Sequence, residues 1–444
     1  VRILNKEVWW SMGAQKIVVI GTGYVGLTTG ACMAHLGHEV ICVDNDETKI
    51  NSIRRGILPI YEENLSELVT QGCDAGNLSF TTNLSDAIPD TNFVFLCLPT
   101  PTSDDGSADI TAIIGVVADI RTHLKSGAVV VNKSTVPVNS ANSLVELINR
   151  SDIDVVSNPE FLREGSAVRD FLMPDRIVVG CVNPMAGHRV ASLYENVASP
   201  IVLTDFASAE TIKYMANSYL AMRISFINEV ASFCHSIGAD VLEVVKGLTL
   251  DKRIGATFLM PGPGWGGSCF PKDTRAISRG ADLTGERLEL IETAIATNTK
   301  HQLRIVKLIT DLAGNNPTTS RVCLLGLTFK AGTDDVRESP ALIIGQALVS
   351  EGFSVVAYDP MQPRIPTHQI ALVGTIEEAL RGADVVVVAT EWEEFSSLAA
   401  ENYADAMRGK LLFDLRYVLP REKFAAVGLE VITLGQRPIR EIGK

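Results

Sequence analysis

The stretch from residue 16 to residue 44 constrains the fold of this chain more than any other. Ile17-Val18-Val19-Ile20 is a continuous apolar run, the pattern of a strand covered on both faces of a parallel sheet. Gly21-Thr22-Gly23-Tyr24-Val25-Gly26 follows at once, then a helical pattern over 27–36, Gly37 as a stop, and a second strand pattern over 39–43 that ends at Asp44. The three glycines permit a tight turn, the approach of a pyrophosphate to the helix N-terminus, and close packing of that helix. Asp44 stands where an acidic residue accepts ribose hydroxyls, which favours NAD over NADP because a 2′-phosphate would meet a like charge. A lone GxGxxG would say little. The ordered series of strand, turn, helix, strand and acid specifies a dinucleotide-binding doubly wound sheet.

Further strand patterns lie at 93–98, 128–132, 154–157 and 177–180. The first three lead into loops containing Thr100, Thr135 and the run Glu160-Phe161-Leu162-Arg163-Glu164. In an open parallel sheet such loops line the ligand crevice, so they are candidates by position. Residues 207–235 contain neither Pro nor Gly and read as one long helix, with Lys213 and Asn217 a turn apart on one face. A lysine on a helix is more often a solvated residue than a site residue. After a helical segment at 288–313 the theme repeats: strand then glycine over 321–327, helix 340–350, strand 353–358 ending at Asp359, and a run over 383–390 that echoes 92–100. This second half has Gly326-Leu327-Thr328-Phe329-Lys330 in place of GxGxxG. The expected fold is α/β, with two Rossmann-like doubly wound domains joined by a long central helix. The expected boundaries are 1–14 for an extension, 15–205 for the NAD domain, 206–314 for a helical connector and dimerisation region, and 315–444 for the second Rossmann-like domain.

The length of 444 residues suits two to three domains. A net charge of −13 argues against nucleic acid or an anionic membrane as a partner, and an anionic substrate would need a locally basic pocket. No apolar run is long enough to span a bilayer. The eight cysteines form no CxxC pair and no Cys/His cluster, so neither a zinc site nor a disulfide framework is expected, and a reducing cytoplasm fits. Residues 1–11 lack the apolar core of a signal peptide, and Met12 directly precedes the first convincing strand, so they read as a disordered extension or a misplaced start.

One cysteine stands out. Gly266-Gly267-Ser268-Cys269-Phe270-Pro271-Lys272-Asp273 places a thiol just ahead of a helix, because Pro271 suits a first helical turn and a helix-compatible run follows. The helix end and Lys272 would favour thiolate there, and Gly266 and Gly267 would let the backbone bring sulfur close to a ligand. Asp273 would lie in the first turn. The plainer reading is a small buried hydrophobe, the usual fate of a lone cysteine.

In order along the chain, GTGYVG, LPIYEENL, LPTPT, KSTVPV, NPEFLREG, KYMANSYLAMRISFINE, DKRIGATFL, GPGWGGSCFPKD and GLTFKAGTDDVRESPA resemble the UDP-glucose 6-dehydrogenases, within the wider group of nucleotide-sugar dehydrogenases. The resemblance implies oxidation of a sugar C6 hydroxyl to a carboxylate, with two NAD+ reduced and no metal. It makes Cys269 the nucleophile that holds the aldehyde. Lys213 and Asn217 become the pair at the reacting oxygen. Asp273 and Thr135 become residues that orient water, and Glu164 a carboxylate assisting proton transfer or hydrolysis. Which group takes the first proton stays open. For NAD the resemblance implies Gly21, Gly23, Tyr24, Val25, Gly26, Asp44, Lys49, Thr100, Thr135, Glu164 and Arg337.

For the nucleotide sugar the same resemblance implies the loop residues Glu160, Phe161, Leu162 and Glu164, with Lys213, Asn217 and Cys269. It adds Arg253, Phe258, Gly264, Gly266, Phe329, Lys330 and Arg416, with Glu160 structural or substrate-positioning. Arg253 would come from a neighbouring subunit, which implies a homodimer or a higher homo-oligomer acting on UDP-glucose. Three alternatives stand beside this reading: the same chemistry on GDP-mannose or UDP-N-acetylmannosamine, a two-electron hydroxyacid dehydrogenase, and a non-catalytic NAD-sensing protein.

Overall fold

The computed structural model describes residues 2–4, 13–314 and 317–436. The chain divides into two compact units, residues 1–216 with 275–286 and residues 217–274 with 287–444. Each unit is built on its own sheet.

The first sheet comprises β1 (Arg2–Leu4), β2 (Lys16–Ile20), β3 (Glu39–Val43), β4 (Leu78–Thr81), β5 (Phe93–Leu96), β6 (Val129–Asn132), β7 (Asp154–Ser157), β8 (Ile177–Cys181) and β9 (Ile201–Thr204). Their order is β1-β9-β8-β7-β6-β5-β2-β3-β4. From β4 through β3, β2, β5 and β6 to β7 every pairing is parallel, which is the strand order of a dinucleotide-binding doubly wound fold. The unbroken apolar runs are explained by burial on both faces. Ile17 and Val19 enter one core with Phe93 and Phe95, while Val18 and Ile20 enter the other with Val94 and Leu96.

Beyond β7 the sheet departs from that plan, since β8 runs antiparallel to β7 and β9 parallel to β8. The expectation that the opening residues stand outside the fold is corrected for Arg2–Leu4, which pairs antiparallel with β9, Arg2 opposite Leu203. A sheet edge offers backbone donors and acceptors that almost any sequence can satisfy, so no side-chain pattern announced this strand. The rest of the 1–12 segment lies outside the described residues.

The second sheet comprises β10 (Arg321–Leu325), β11 (Ser354–Tyr358), β12 (Ala371–Leu372), β13 (Val385–Val388), β14 (Leu411–Asp414) and β15 (Glu430–Thr433). It is wholly parallel in the order β12-β11-β10-β13-β14-β15, the same winding as the first. The repeat extends to single hydrogen bonds. Gly21 N donates to Val43 O at 2.7 Å, and Gly326 N donates to Tyr358 O at 2.8 Å. Thr22 donates through N and Oγ1 to Asp44 Oδ2 at 2.8 and 2.7 Å, and Thr328 does the same to Asp359 Oδ2 at 3.1 and 3.2 Å. The halves then diverge. A helix begins at Tyr24 in the first, whereas in the second it waits until Pro340, capped by Ser339.

The longest helix, Phe206–Ile237, contains the boundary between Ala216 and Asn217 at which the two units divide. No helix among the described residues is long and apolar enough to cross a membrane.

Candidate active site

In the first unit the glycine turn has the features a dinucleotide needs. The helix Tyr24–His35 starts inside the motif, earlier than the apolar pattern suggested, with Gly23 as its cap, no capping side chain and no acid in the first turn. A helix start without a side-chain cap suits a pyrophosphate. A β-carbon on Gly23 would meet nothing within 4 Å, so this side of the turn is open. Asp44 is buried at the end of β3. Burial raises its carboxyl, but Lys49 at 2.8 Å and the Thr22 and Asp46 donors outweigh that and bring it down to about 2. Among the described residues Oδ1 accepts from Asp46 N alone, at 3.1 Å, which leaves that oxygen room for a ribose hydroxyl. Thus Gly21, Gly23, Gly26, Asp44 and Lys49 meet in one turn that fits NAD.

The loops after β5, β6 and β7 supply the next group. Lys213 Nζ donates to Glu160 Oε1 at 2.8 Å, and both side chains are buried. Burial alone would raise the Glu160 carboxyl. The Lys213 charge and hydrogen bond, the Leu162 N–H and the Lys133 charge reverse this and hold it below the usual carboxylate range. Phe161 lies beneath two cations, Arg176 at 3.6 Å and Lys213 at 5.5 Å from its ring centre. Thr135 and Lys213 line one small cavity with Ser157 and Glu210. Thr100 and Glu164 are buried. Two neighbours of this group escaped the sequence reading. Lys133, whose ammonium is pushed down by burial, lies 3.3 Å from Asn158 Oδ1, and Glu210 sits one turn before Lys213. The spacing from Glu210 to Lys213 was the available signal for the second.

The second unit holds the thiol. The helix Phe270–Thr284 begins directly after Cys269, and Asp273 N donates to Cys269 O at 2.9 Å, closing the first turn. Asp273 is 1% exposed and held from two sides: Lys272 Nζ lies 2.5 Å from Oδ1 and Asn217 Nδ2 2.6 Å from Oδ2. Cys269 is half-buried, as is Cys181; Cys73 is exposed, and the other five cysteines are buried. A β-carbon on Gly266 would sit 2.0 Å from Glu338 O, and one on Gly267, at φ +82°, would press on the Phe329 ring at 2.9 Å. Arg416 donates to Phe329 O at 2.8 Å and to Ala389 O at 2.9 Å, tying the backbone of Phe329 to that of Ala389. Lys330 lies 5.7 Å from the same ring centre. Phe258 contacts Phe270 at 6.2 Å between centroids, and Gly264 abuts Asn298. Arg253 and Arg337 are exposed and paired with Asp251 and Asp335, at 2.6 and 2.7 Å. Among the described residues no group of three or more His, Cys, Asp or Glu could hold a metal ion.

A doubly wound sheet with this turn and acid defines a dinucleotide-binding class of fold. Three domain models of the UDP-glucose/GDP-mannose dehydrogenase family match the chain: its NAD binding domain over residues 15–198, its central domain over 207–300 and its UDP binding domain over 323–421. The chain belongs to that family. It is 40% identical to a UDP-glucose 6-dehydrogenase of Rhizobium meliloti over 95% of this chain and 99% of the relative. Among solved structures it is similar to a UDP-glucose dehydrogenase of Pyrobaculum islandicum, with 32% identity, a TM-score of 0.86 and coverage of 96% and 98%. It is also similar to a UDP-D-ManNAc dehydrogenase of Pyrococcus horikoshii, with 27% identity, a TM-score of 0.84 and coverage of 95% and 99%.

Proposed function

We propose that this chain oxidises UDP-glucose at C6 to UDP-glucuronate, each substrate molecule reducing two NAD+ and consuming one water. NAD supplies the hydride acceptor for both oxidations, bound at the turn of Gly21, Gly23, Gly26 and Asp44 with Lys49 beside it. The remaining chemistry belongs to side chains. Cys269 retains the carbon between the two oxidations: its sulfur adds to the aldehyde carbonyl to give a thiohemiacetal, the second oxidation leaves a thioester, and water breaks the carbon–sulfur bond to release the acid. The Lys213 ammonium and the Asn217 amide stabilise negative charge on the C6 oxygen. Asp273 and Thr135 orient the water, and the Glu164 carboxylate assists proton transfer or hydrolysis of the thioester.

Lys330, Phe258, Gly264 and Arg416 hold the nucleotide sugar, with Arg253 contributed by a second copy, so the working form is at least a homodimer in a reducing cytoplasm. The observation that carries this reading is the half-buried thiol at a helix start one turn from an aspartate fixed by Asn217 and Lys272. The curated relatives named UDP-glucose 6-dehydrogenase support the choice of sugar. The test is the amount of NADH formed per UDP-glucose consumed. Two are expected for the native chain. For Cys269→Ser the expectation is slow turnover or a stalled aldehyde or covalent adduct. A native ratio of one would end the four-electron reading, and a preference for GDP-mannose or UDP-N-acetylmannosamine at equal concentration would end the assignment to UDP-glucose.

A further inference from the structure

Glu210 lies on the helix Phe206–Ile237, three residues before Lys213 and therefore on the same face. Its side chain is 4% exposed, yet it accepts hydrogen bonds from two other segments. Oε2 accepts from Asn139 N at 2.6 Å, and Oε1 accepts from Ala141 N and Ser157 Oγ, each at 3.1 Å. Asn139 and Ala141 bracket the start of the helix Ser140–Ile148, whose own cap residue, Asn139, is left-handed at φ 75° and makes no side-chain capping bond. The cap is thus supplied from outside the helix. Ser157 ends β7, and Thr135 lies in the short segment between β6 and that helix. Both segments follow carboxyl ends of parallel strands, where an open sheet binds its ligands. Glu210, Thr135, Ser157 and Lys213 line the same small cavity.

We propose that Glu210 is a positioning residue, its carboxylate tying the 134–141 segment that carries Thr135, and the end of β7, to the helical turn that carries Lys213. The functional part of this inference rests on the reading given above. Two of the three bonds come from backbone N–H groups, which can only donate, and the third from the Ser157 hydroxyl. The charged groups nearby are engaged elsewhere: Lys213 with Glu160 at 2.8 Å and Lys133 towards Asn158 at 3.3 Å. The Asn139–Ala141 segment brings no titratable side chain. Burial pushes the Glu210 carboxyl up to about 7, against which the Ala141, Asn139 and Ser157 donors work. Protonation removes acceptor capacity opposite the two backbone N–H groups, which cannot reverse their role. The brace is therefore complete above neutrality and loosens as pH falls through about 7.

The full chain, Glu210→Gln and Glu210→Asp are assayed with UDP-glucose and NAD between about pH 5.5 and 9, and amide exchange over residues 134–148 is followed without ligands. In Glu210→Gln the expected result is a kcat lower by about tenfold with KM for UDP-glucose within about twofold, and loss of the acid limb near neutrality. Exchange in the segment should rise by about tenfold, with Glu210→Asp intermediate. In the native chain, exchange corrected for its intrinsic pH dependence should be faster at pH 6 than at pH 8. An unchanged acid limb in Glu210→Gln, or exchange indifferent to both the substitution and pH, would overturn the proposal. If the native chain leaves UDP-glucose untouched, the functional reading fails while the exchange measurements still decide whether the brace exists, and they do so in the native chain even if Glu210→Gln does not fold.

Discussion

The three glycines of the nucleotide turn are of one residue type and answer different demands. A β-carbon on Gly26 would lie 1.8 Å from Gly21 O, and one on Gly21, already at φ +97°, would lie 2.4 Å from Cys97 O. Gly23 alone faces open space. The first two therefore serve the fold and the third serves the ligand. Gly26→Ala is expected to lower stability by about 1–3 kcal/mol, the range for forcing a methyl into packed backbone. Gly23→Ala should melt within a degree or two of the native chain while KM for NAD rises by roughly tenfold, the loss of close approach to the pyrophosphate. Thermal melting and NAD titration of both variants check this, and equal losses of stability would refute the division. The glycine spacing was legible in the sequence, but which glycine touches what was not, because Cys97 arrives from a strand some seventy residues away.

At the scale of elements, the segment leading to Cys269 is fastened by helices distant in sequence. Gly262 N donates to Asn228 Oδ1 at 2.8 Å, and Asn298 holds Trp265 through both backbone groups, at 3.0 and 2.9 Å. Trp265 Nε1 donates to Ser225 Oγ at 2.9 Å, and His301 Nε2 lies 2.7 Å from Gly262 O. Gly264 must be glycine because a β-carbon would meet Asn298 Oδ1 at 2.7 Å. GPGWGG reads from sequence as a backbone-rich loop, but its anchors lie 33 to 40 positions away and carry no local signature. Burial pushes the His301 imidazole from an ordinary 6.5 down to about 4. Between those values the unfolded chain binds a proton that the folded chain does not, so stability is full above pH 6.5 and falls as pH drops towards 4. The full effect is of the order of 3 kcal/mol. Denaturant melts at pH 7 and pH 5 should show the decline in the native chain and much less of it in His301→Gln, which keeps a donor for Gly262 without a titrating ring. An equal slope in both would place its origin elsewhere.

For the whole molecule, two windings of one sheet plan were legible because each begins with a continuous apolar run and reaches an aspartate after its second strand. What the repeat could not reveal is how the ends differ. Asp44 binds the Lys49 ammonium at 2.8 Å, whereas Asp359 is fully buried, closes its turn through Leu327 N at 2.7 Å, and also receives Trp392 Nε1 at 3.3 Å. The second acid at the matching position therefore closes its own turn and receives an indole N–H. The antiparallel β8 and the edge strand β1 were also hidden, since parallel and antiparallel neighbours bury the same residue types.

The distribution of thiols has a consequence for chemical vulnerability. Burial raises Cys32 and Cys97 to about 12 and pushes Cys42 and Cys323 higher still, while Cys234 is shielded at 2% exposure. The fold thus serves as its own protecting group for five sulfurs. Brief treatment of the native chain with iodoacetamide, followed by peptide mass spectrometry, should label Cys73, Cys181 and Cys269 and spare the rest. Loss of activity should track Cys269 alone, so that Cys269 is where a passing electrophile or oxidant disarms the molecule without unfolding it.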